Sequence, residues 1–182
     1  MKLDNQTIDK TWTLFLDRDG VINERIVGSY VKHTEEFIFL PGVPDTIAGF
    51  SQIFGRIIVV TNQQGIGKGY MTECNLSEVH DYMRKQIESA GGKFDAILHA
   101  PQLAVENSSF RKPEPGMGLQ AKELFPEIDF AKSIMVGDSD SDIAFGKNLG
   151  MITVRIGKEK DAIEKSDYYC DKLADCIKLF KL

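Results

Sequence analysis

Short apolar runs alternate along the chain with longer stretches in which apolar side chains recur every three or four positions. Thr13-Leu14-Phe15-Leu16, Arg56 to Val60, Phe94 to Leu98, Ser133 to Val136 and Ile152 to Ile156 predict five buried strands. Between them, helices are predicted over Val43 to Phe54, from the cap Thr72 to about Ala90, over Gly116 to Phe125 and over Ile143 to Leu149. Pro44 suits a first helical turn, and Gly55, Gly91-Gly92, Pro126 and Gly150 supply the stops. The tail adds a short strand at Tyr168-Tyr169 and a helix near Leu173 to Leu182. Strand and helix in alternation, with no repeat and no low-complexity linker, predict an α/β fold. It is a doubly wound, Rossmann-like parallel sheet with helices on both faces, formed by one domain spanning 1–182.

The chemistry gathers where the predicted strands end. The first strand runs into Asp17-Arg18-Asp19-Gly20-Val21-Ile22-Asn23 and a loop reaching Gly42, long enough to be functional or partly structured. Two carboxylates one residue apart at a strand's carboxyl end call for a hard divalent cation, and Mg²⁺ is the natural choice. One could attack phosphorus while the other moves a proton; the same four letters also occur in ordinary turns. A calcium loop fails, because its fifth and sixth positions fall on Val21 and Ile22. The second strand ends in Thr61-Asn62-Gln63-Gln64-Gly65-Ile66-Gly67-Lys68-Gly69, whose hydroxyl, amides and backbone N–H groups could bind phosphate. Asn62 and Gly69 break a P-loop there, Tyr70 breaks a dinucleotide fingerprint, and Thr61 reads equally well as a turn residue. His99 follows the third strand, either structural or catalytic, and the loop Ala100 to Pro115 carries Arg111-Lys112-Pro113. That pair is solvated surface unless it faces the carboxylates, where Lys112 would hold a phosphate oxygen and the nucleophile together. The fourth strand ends in Gly137-Asp138-Ser139-Asp140-Ser141-Asp142; a calcium loop fails again at Ile143 and Leu149. The better reading joins Asp138 to Asp17 at the metal and leaves Asp142 to support the loop.

Composition narrows the partners. Of 182 residues, 42% are hydrophobic and 27% charged, ordinary for a globular protein, and the net charge of -5 without a basic run argues against nucleic acid. No apolar stretch is long enough for a membrane span, and the first ten residues lack a signal peptide's apolar segment. Cys74, Cys170 and Cys176 form no Cys-x-x-Cys pair and read as reduced thiols, so a cytoplasmic location is expected; the chain is separately expected to be a monomer.

An Asp pair, a Thr, an Arg-Lys pair and an acidic cluster, in this order at four strand ends, resemble the haloacid dehalogenase (HAD) superfamily of phosphotransferases over almost the whole chain. The resemblance implies Asp17 as nucleophile and Asp19 as general acid/base. It further implies Thr61 as phosphate ligand, Lys112 as the phosphate-holding lysine, and Mg²⁺ held by Asp17, the Asp19 carbonyl and Asp138. Asp17-Arg18-Asp19-Gly20-Val21-Ile22-Asn23, Tyr30-Val31, Pro41-Gly42-Val43, Thr61-Asn62-Gln63, Gly65-Ile66, Arg111-Lys112-Pro113 and Pro115-Gly116-Met117 are similar to the small group without a large cap domain. That group contains heptose-bisphosphate and histidinol-phosphate phosphatases. It implies a small phosphorylated metabolite as substrate, with Asn23, Asn62, Gln63 and Arg111 among the residues that bind it. Tyr30-Val31 and the cations Lys68, Arg111 and Lys112 favour a heptose bisphosphate over the ammonium of histidinol phosphate. Two departures stand out. Ala100 to Phe110 has no Cys, so no structural zinc is expected, and Ser139 replaces a Lys that heptose enzymes often carry. A receiver-type phosphoacceptor is a rival, though Asp95 sits at the start of the third strand rather than after it. A DNA 3′-phosphatase would need a basic groove.

Overall fold

The computed structural model describes residues 3, 7–157 and 163–180, with six parallel strands in one sheet. They are β1 (Thr13–Leu16), β2 (Arg56–Asn62), β3 (Ala96–Ala100), β4 (Ser133–Gly137), β5 (Ile152–Ile156) and β6 (Tyr168–Cys170), ordered β3-β2-β1-β4-β5-β6. Among the described residues five α-helices accompany them: α1 (Val43–Ile53), α2 (Glu73–Ser89), α3 (Gly116–Leu124), α4 (Asp140–Asn148) and α5 (Cys176–Leu179). The last two residues of the predicted tail helix lie outside the described residues.

Strand side chains alternate between the two faces, and the cores follow that period. Leu14 and Leu16, Ile57 and Val59, Ile134 and Val136, and Ile152, Val154 and Ile156 share a core with Ile47 and Phe50 of α1, Val79 and Met83 of α2, Cys176 of α5 and Phe180 just after it. Phe15, Ile58, Val60 and Met135 point the other way, onto Met117 and Ala121 of α3 and Phe145 of α4. Each of the large side chains among these, more than nine-tenths withdrawn from water, stabilises the fold by about 1.5–3 kcal/mol. Being buried on both faces is what makes the strands read as unbroken apolar runs rather than alternating ones.

Three of the boundaries that differ from the sequence pattern do so for a visible reason. β2 continues through Thr61 and Asn62 because His99 and Ala100 of β3 pair with them. β3 starts two residues late because the Asp95 carboxylate turns inward to accept Ile57 N–H at 2.8 Å and pair with Arg56 and Lys93. α4 starts at Asp140, since Ser139 and Asp142 form a reciprocal capping box there. Gly55 does not close α1 in a left-handed turn. Phe54 N–H closes it on Phe50, and Gly55 is needed because the Lys10 carbonyl lies where a Cβ would be.

β1 and β4 are neighbours, yet the chain leaves β1 toward β2 and returns on the other side. A crevice opens beyond the carboxyl ends of two strands that diverge in this way. Asp17 directly follows β1 and Asp138 directly follows β4, so sheet order brings together two acids far apart in sequence.

Candidate active site

At the crevice lies a cavity of about 510 Å³ lined by Asp17, Asp19, Thr61, Asn62, Arg111, Lys112 and Asp142, with Arg25, Tyr30, Gln64 and Lys68 among the residues around it. Lys112 reaches into its floor, 2% exposed. Its ammonium donates to Asp17 Oδ1 at 2.8 Å and the Val60 carbonyl at 2.7 Å, and lies 2.6 Å from Asp142 Oδ1. Asn62 fixes the Lys112 backbone from both sides, accepting its N–H at 3.0 Å and donating to its carbonyl at 3.1 Å. β2 thus holds in place the loop that follows β3.

Asp17, Asp138 and Asp142 present oxygens within 4.8 Å of one another. One ammonium does not offset three carboxylates. Burial first, then the charges of Asp142 and Asp138, push Asp17 up to about 7 against the pull of Lys112. Burial and the Asp142 charge likewise raise Asp138 to about 6, although Arg25 and Lys112 oppose them. Lys112 is raised as well: the two carboxylates beside it outweigh its own burial. A closely set group of hard oxygen donors short of positive charge fits Mg²⁺, to which Asp17, Asp138 and the Asp19 carbonyl would be the ligands. Gly20 makes room for this, because a Cβ there would overlap the Asp138 carboxylate.

Asp19 has a different environment. Burial alone would raise its carboxyl, but the Arg18 charge and hydrogen bonds from Asn23, Arg18 and Gln63 hold it below the ordinary carboxylate range. Arg18 Nη2 and Asn23 Nδ2 donate to Oδ1, each at 2.9 Å, and Gln63 Nε2 donates to Oδ2 at 2.8 Å. Gln63 also reaches the Thr61 hydroxyl at 2.9 Å, tying β2 to the acid after β1.

The predicted site residues therefore separate into two sets. Asp17, Asp19, Thr61, Asn62, Arg111 and Lys112 line the cavity, and Asp138 joins the acid cluster beside it. Asn23 and Gln63, expected to bind substrate, are buried behind Asp19 and hold its carboxylate instead. Asp142 caps Ser139 as expected of a loop support, and it also belongs to the acid cluster. Asp140 pairs with Arg155, and His99 pairs with Glu73 at 2.8 Å on the exposed side of β3.

Three residues escaped the sequence reading. Arg18 is wholly buried beneath Asp19, with Nη2 on its carboxylate and Nη1 3.1 Å from His80 Nε2 on α2. Burial and the Arg18 charge push His80 down to about 3, so it stays neutral and accepts the guanidinium's hydrogen. Arg25, in the loop after β1, donates from Nη2 to Asp138 Oδ1 at 2.7 Å and to the Asp19 carbonyl at 3.1 Å, and lies 4.0 Å from Asp17 Oδ2. Nothing in the hydrophobic pattern marks Arg25. Arg18 stood within the motif, but an arginine at full burial is not an expectation that residue type supports.

A family model described as HAD-hydrolase-like matches residues 109–176. The D-glycero-alpha-D-manno-heptose-1,7-bisphosphate 7-phosphatase of Campylobacter jejuni is 36% identical over 174 residues, covering 94% of this chain and 97% of the relative. The D-glycero-beta-D-manno-heptose-1,7-bisphosphate 7-phosphatase of Pseudomonas putida is 36% identical over 154 residues, covering 84% and 87%. Among solved structures, a D,D-heptose 1,7-bisphosphate phosphatase from B. bronchiseptica, complexed with magnesium and phosphate, superposes with a TM-score of 0.82. It is 27% identical, and the match covers 93% of this chain and 98% of that one. Among the described residues, no helix is long and apolar enough to cross a membrane.

Proposed function

The chain belongs to the HAD-like hydrolases, among the D-glycero-D-manno-heptose-1,7-bisphosphate 7-phosphatases, and from this we infer that it is a Mg²⁺-dependent phosphatase that removes the 7-phosphate of that sugar bisphosphate and leaves the 1-phosphate. One observation carries the substrate reading. The cavity that holds the acid pair and Lys112 is also lined by Lys68 and Arg111, cations beyond what one phosphate at Asp17 engages. A second phosphate suits them, above all the bidentate fork of arginine, whereas the ammonium of histidinol phosphate would be repelled.

The chemistry proposed for the chain's own groups follows from their contacts. Lys112 holds Asp17 by Oδ1 and fixes the carboxylate's direction, which leaves Oδ2 for in-line attack on phosphorus to form an aspartyl-phosphate. Mg²⁺, when bound, supplies the positive charge that keeps Asp17 ionised despite its burial and offsets the charge of the phosphate. Asp19, kept ionised by Arg18, Asn23 and Gln63, needs a proton before it can act as an acid. A dianionic phosphate arriving beside it disfavours its charged form and favours that uptake. It then gives the proton to the leaving sugar oxygen and later takes one from the water that cleaves the aspartyl-phosphate. Thr61, 1% exposed at the end of β2, and the backbone N–H groups after it are proposed to bind the phosphoryl oxygens.

The test is a comparison of kcat/KM for the alpha and beta heptose bisphosphates and for histidinol phosphate, repeated with Arg111→Ala. The bisphosphate should be preferred, and Arg111→Ala should lower its kcat/KM by about tenfold or more, the scale of a lost charged contact. Preference for histidinol phosphate, or an unchanged rate in the variant, defeats the substrate assignment. Relatives of equal identity carry opposite anomer names, so the two anomers must both be assayed.

A further inference from the structure

Arg25 touches the same groups proposed to hold the metal. Its Nη2 is 2.7 Å from Asp138 Oδ1, 3.1 Å from the Asp19 carbonyl and 4.0 Å from Asp17 Oδ2. We propose that Arg25 is a built-in counter-cation that shares the metal's seat, holding the acid cluster together in the metal-free protein and swinging out as Mg²⁺ enters. The inference rests on the reading of Asp17, the Asp19 carbonyl and Asp138 as the metal ligands.

Three physical points support it. Lys112 balances one of the three carboxylates, and Arg25 balances a second without completing the count. A divalent ion balances both remaining charges, so it replaces the guanidinium with a net gain. Mg²⁺ bonds oxygen at about 2.0–2.1 Å and needs the lone pairs that Nη2 now engages, so the two cations compete for the same donors. Finally, the Arg25 side chain is 48% exposed, in contrast to Lys112 at 1%, so it can leave the seat with far less loss of packing than Lys112 could. Arg18 has no such freedom, being wholly buried. The two arginines near the acid pair thus differ in kind: one is locked beneath Asp19, and the other lies over the metal ligands from the solvent side.

The experiment titrates Mg²⁺ calorimetrically into metal-stripped wild type, Arg25→Ala, Arg25→Gln and Lys68→Ala at one pH and ionic strength. Lys68 lines the same cavity, with its ammonium 5.7 Å from the Tyr30 ring centre, and serves as the control for cavity charge in general. Both Arg25 variants should bind Mg²⁺ roughly threefold to tenfold tighter than wild type, and Lys68→Ala should stay within about twofold. The rise in Tm on adding Mg²⁺ should be larger in the Arg25 variants, because the metal-free form has lost its counter-cation. Equal or weaker Mg²⁺ binding in both Arg25 variants overturns the shared seat, and so does equal tightening in Lys68→Ala. A lack of saturable Mg²⁺ binding in all four proteins overturns the metal assignment itself, and this inference with it.

Discussion

Asp17 is a carboxylate placed where a carboxylate is uncomfortable. It is 5% exposed, beside two other acids, and shares one ammonium with Asp142. Its folded pKa of about 7 lies above the ordinary 3.8, so this group's contribution to stability is present at low pH and lost as pH rises through about 7. Asp17→Asn removes that penalty together with the nucleophile. Phosphate release should fall by about 10⁴-fold or more, while the metal-free variant at pH 8 should melt higher than wild type. Normal turnover in the variant would sink the assignment. Metal binding runs the opposite way: Mg²⁺ needs Asp17 and Asp138 ionised, so its affinity should rise from pH 5 through about pH 7 and level off about a unit above. A titration series across that range reads this directly, and a flat profile would mean that neither acid is a ligand.

At the scale of elements, the turn after β1 and helix α2 cooperate through Arg18. Gly20 has φ +92 and sits against the Asp138 carboxylate, so it answers for both a backbone conformation and a close approach. Gly20→Ala should cost about 1–3 kcal/mol of stability and weaken Mg²⁺ binding by displacing Asp138. If calorimetry shows wild-type affinity, Asp138 does not depend on that turn. On α2, His80 is neutral beneath Arg18, with a folded pKa of about 3 against 6.5 ordinarily. Its contribution is therefore present above about 6.5 and lost as pH falls toward 3. His80→Gln accepts a hydrogen bond but does not titrate, so its Tm should fall less than that of wild type between pH 6 and pH 4. Parallel curves would assign the acid sensitivity elsewhere.

For the whole molecule, the sheet order decides which loops meet. β1 and β4 diverge at the crevice, β2 lies beside β1, and Lys112 is carried in by the loop after β3 and pinned by Asn62. That loop has no cysteine, and His99 is engaged by Glu73. Protein purified without chelator should contain no stoichiometric zinc by metal analysis, whereas one tightly bound zinc per chain would refute this.

The sequence by itself determined the class of fold, because strands buried on both faces are written as apolar runs and the helices between them as three-to-four-residue apolar periods bounded by Gly, Pro or a capping Thr or Ser. It also marked Asp17, Asp19, Thr61 and Asp138, since charged or polar groups that end an apolar run stand out against it, whereas Lys112, inside a loop, was marked only by the family resemblance. Tertiary structure decided the rest. Asn23 and Gln63 carry the same chemistry as ligands do, and only the position of Asp19 relative to them turns both toward its carboxylate and away from the cavity. Asp142 and Asp140 are indistinguishable as letters, yet the first turn of α4 sends one to Lys112 and the other to Arg155. The partners of Arg18 and Arg25 lie up to 113 positions away along the chain, beyond the reach of any local pattern. Whether an arginine is a buried brace or a removable cation depends on what the sheet places around it, because burial and charge balance are set by all the elements together.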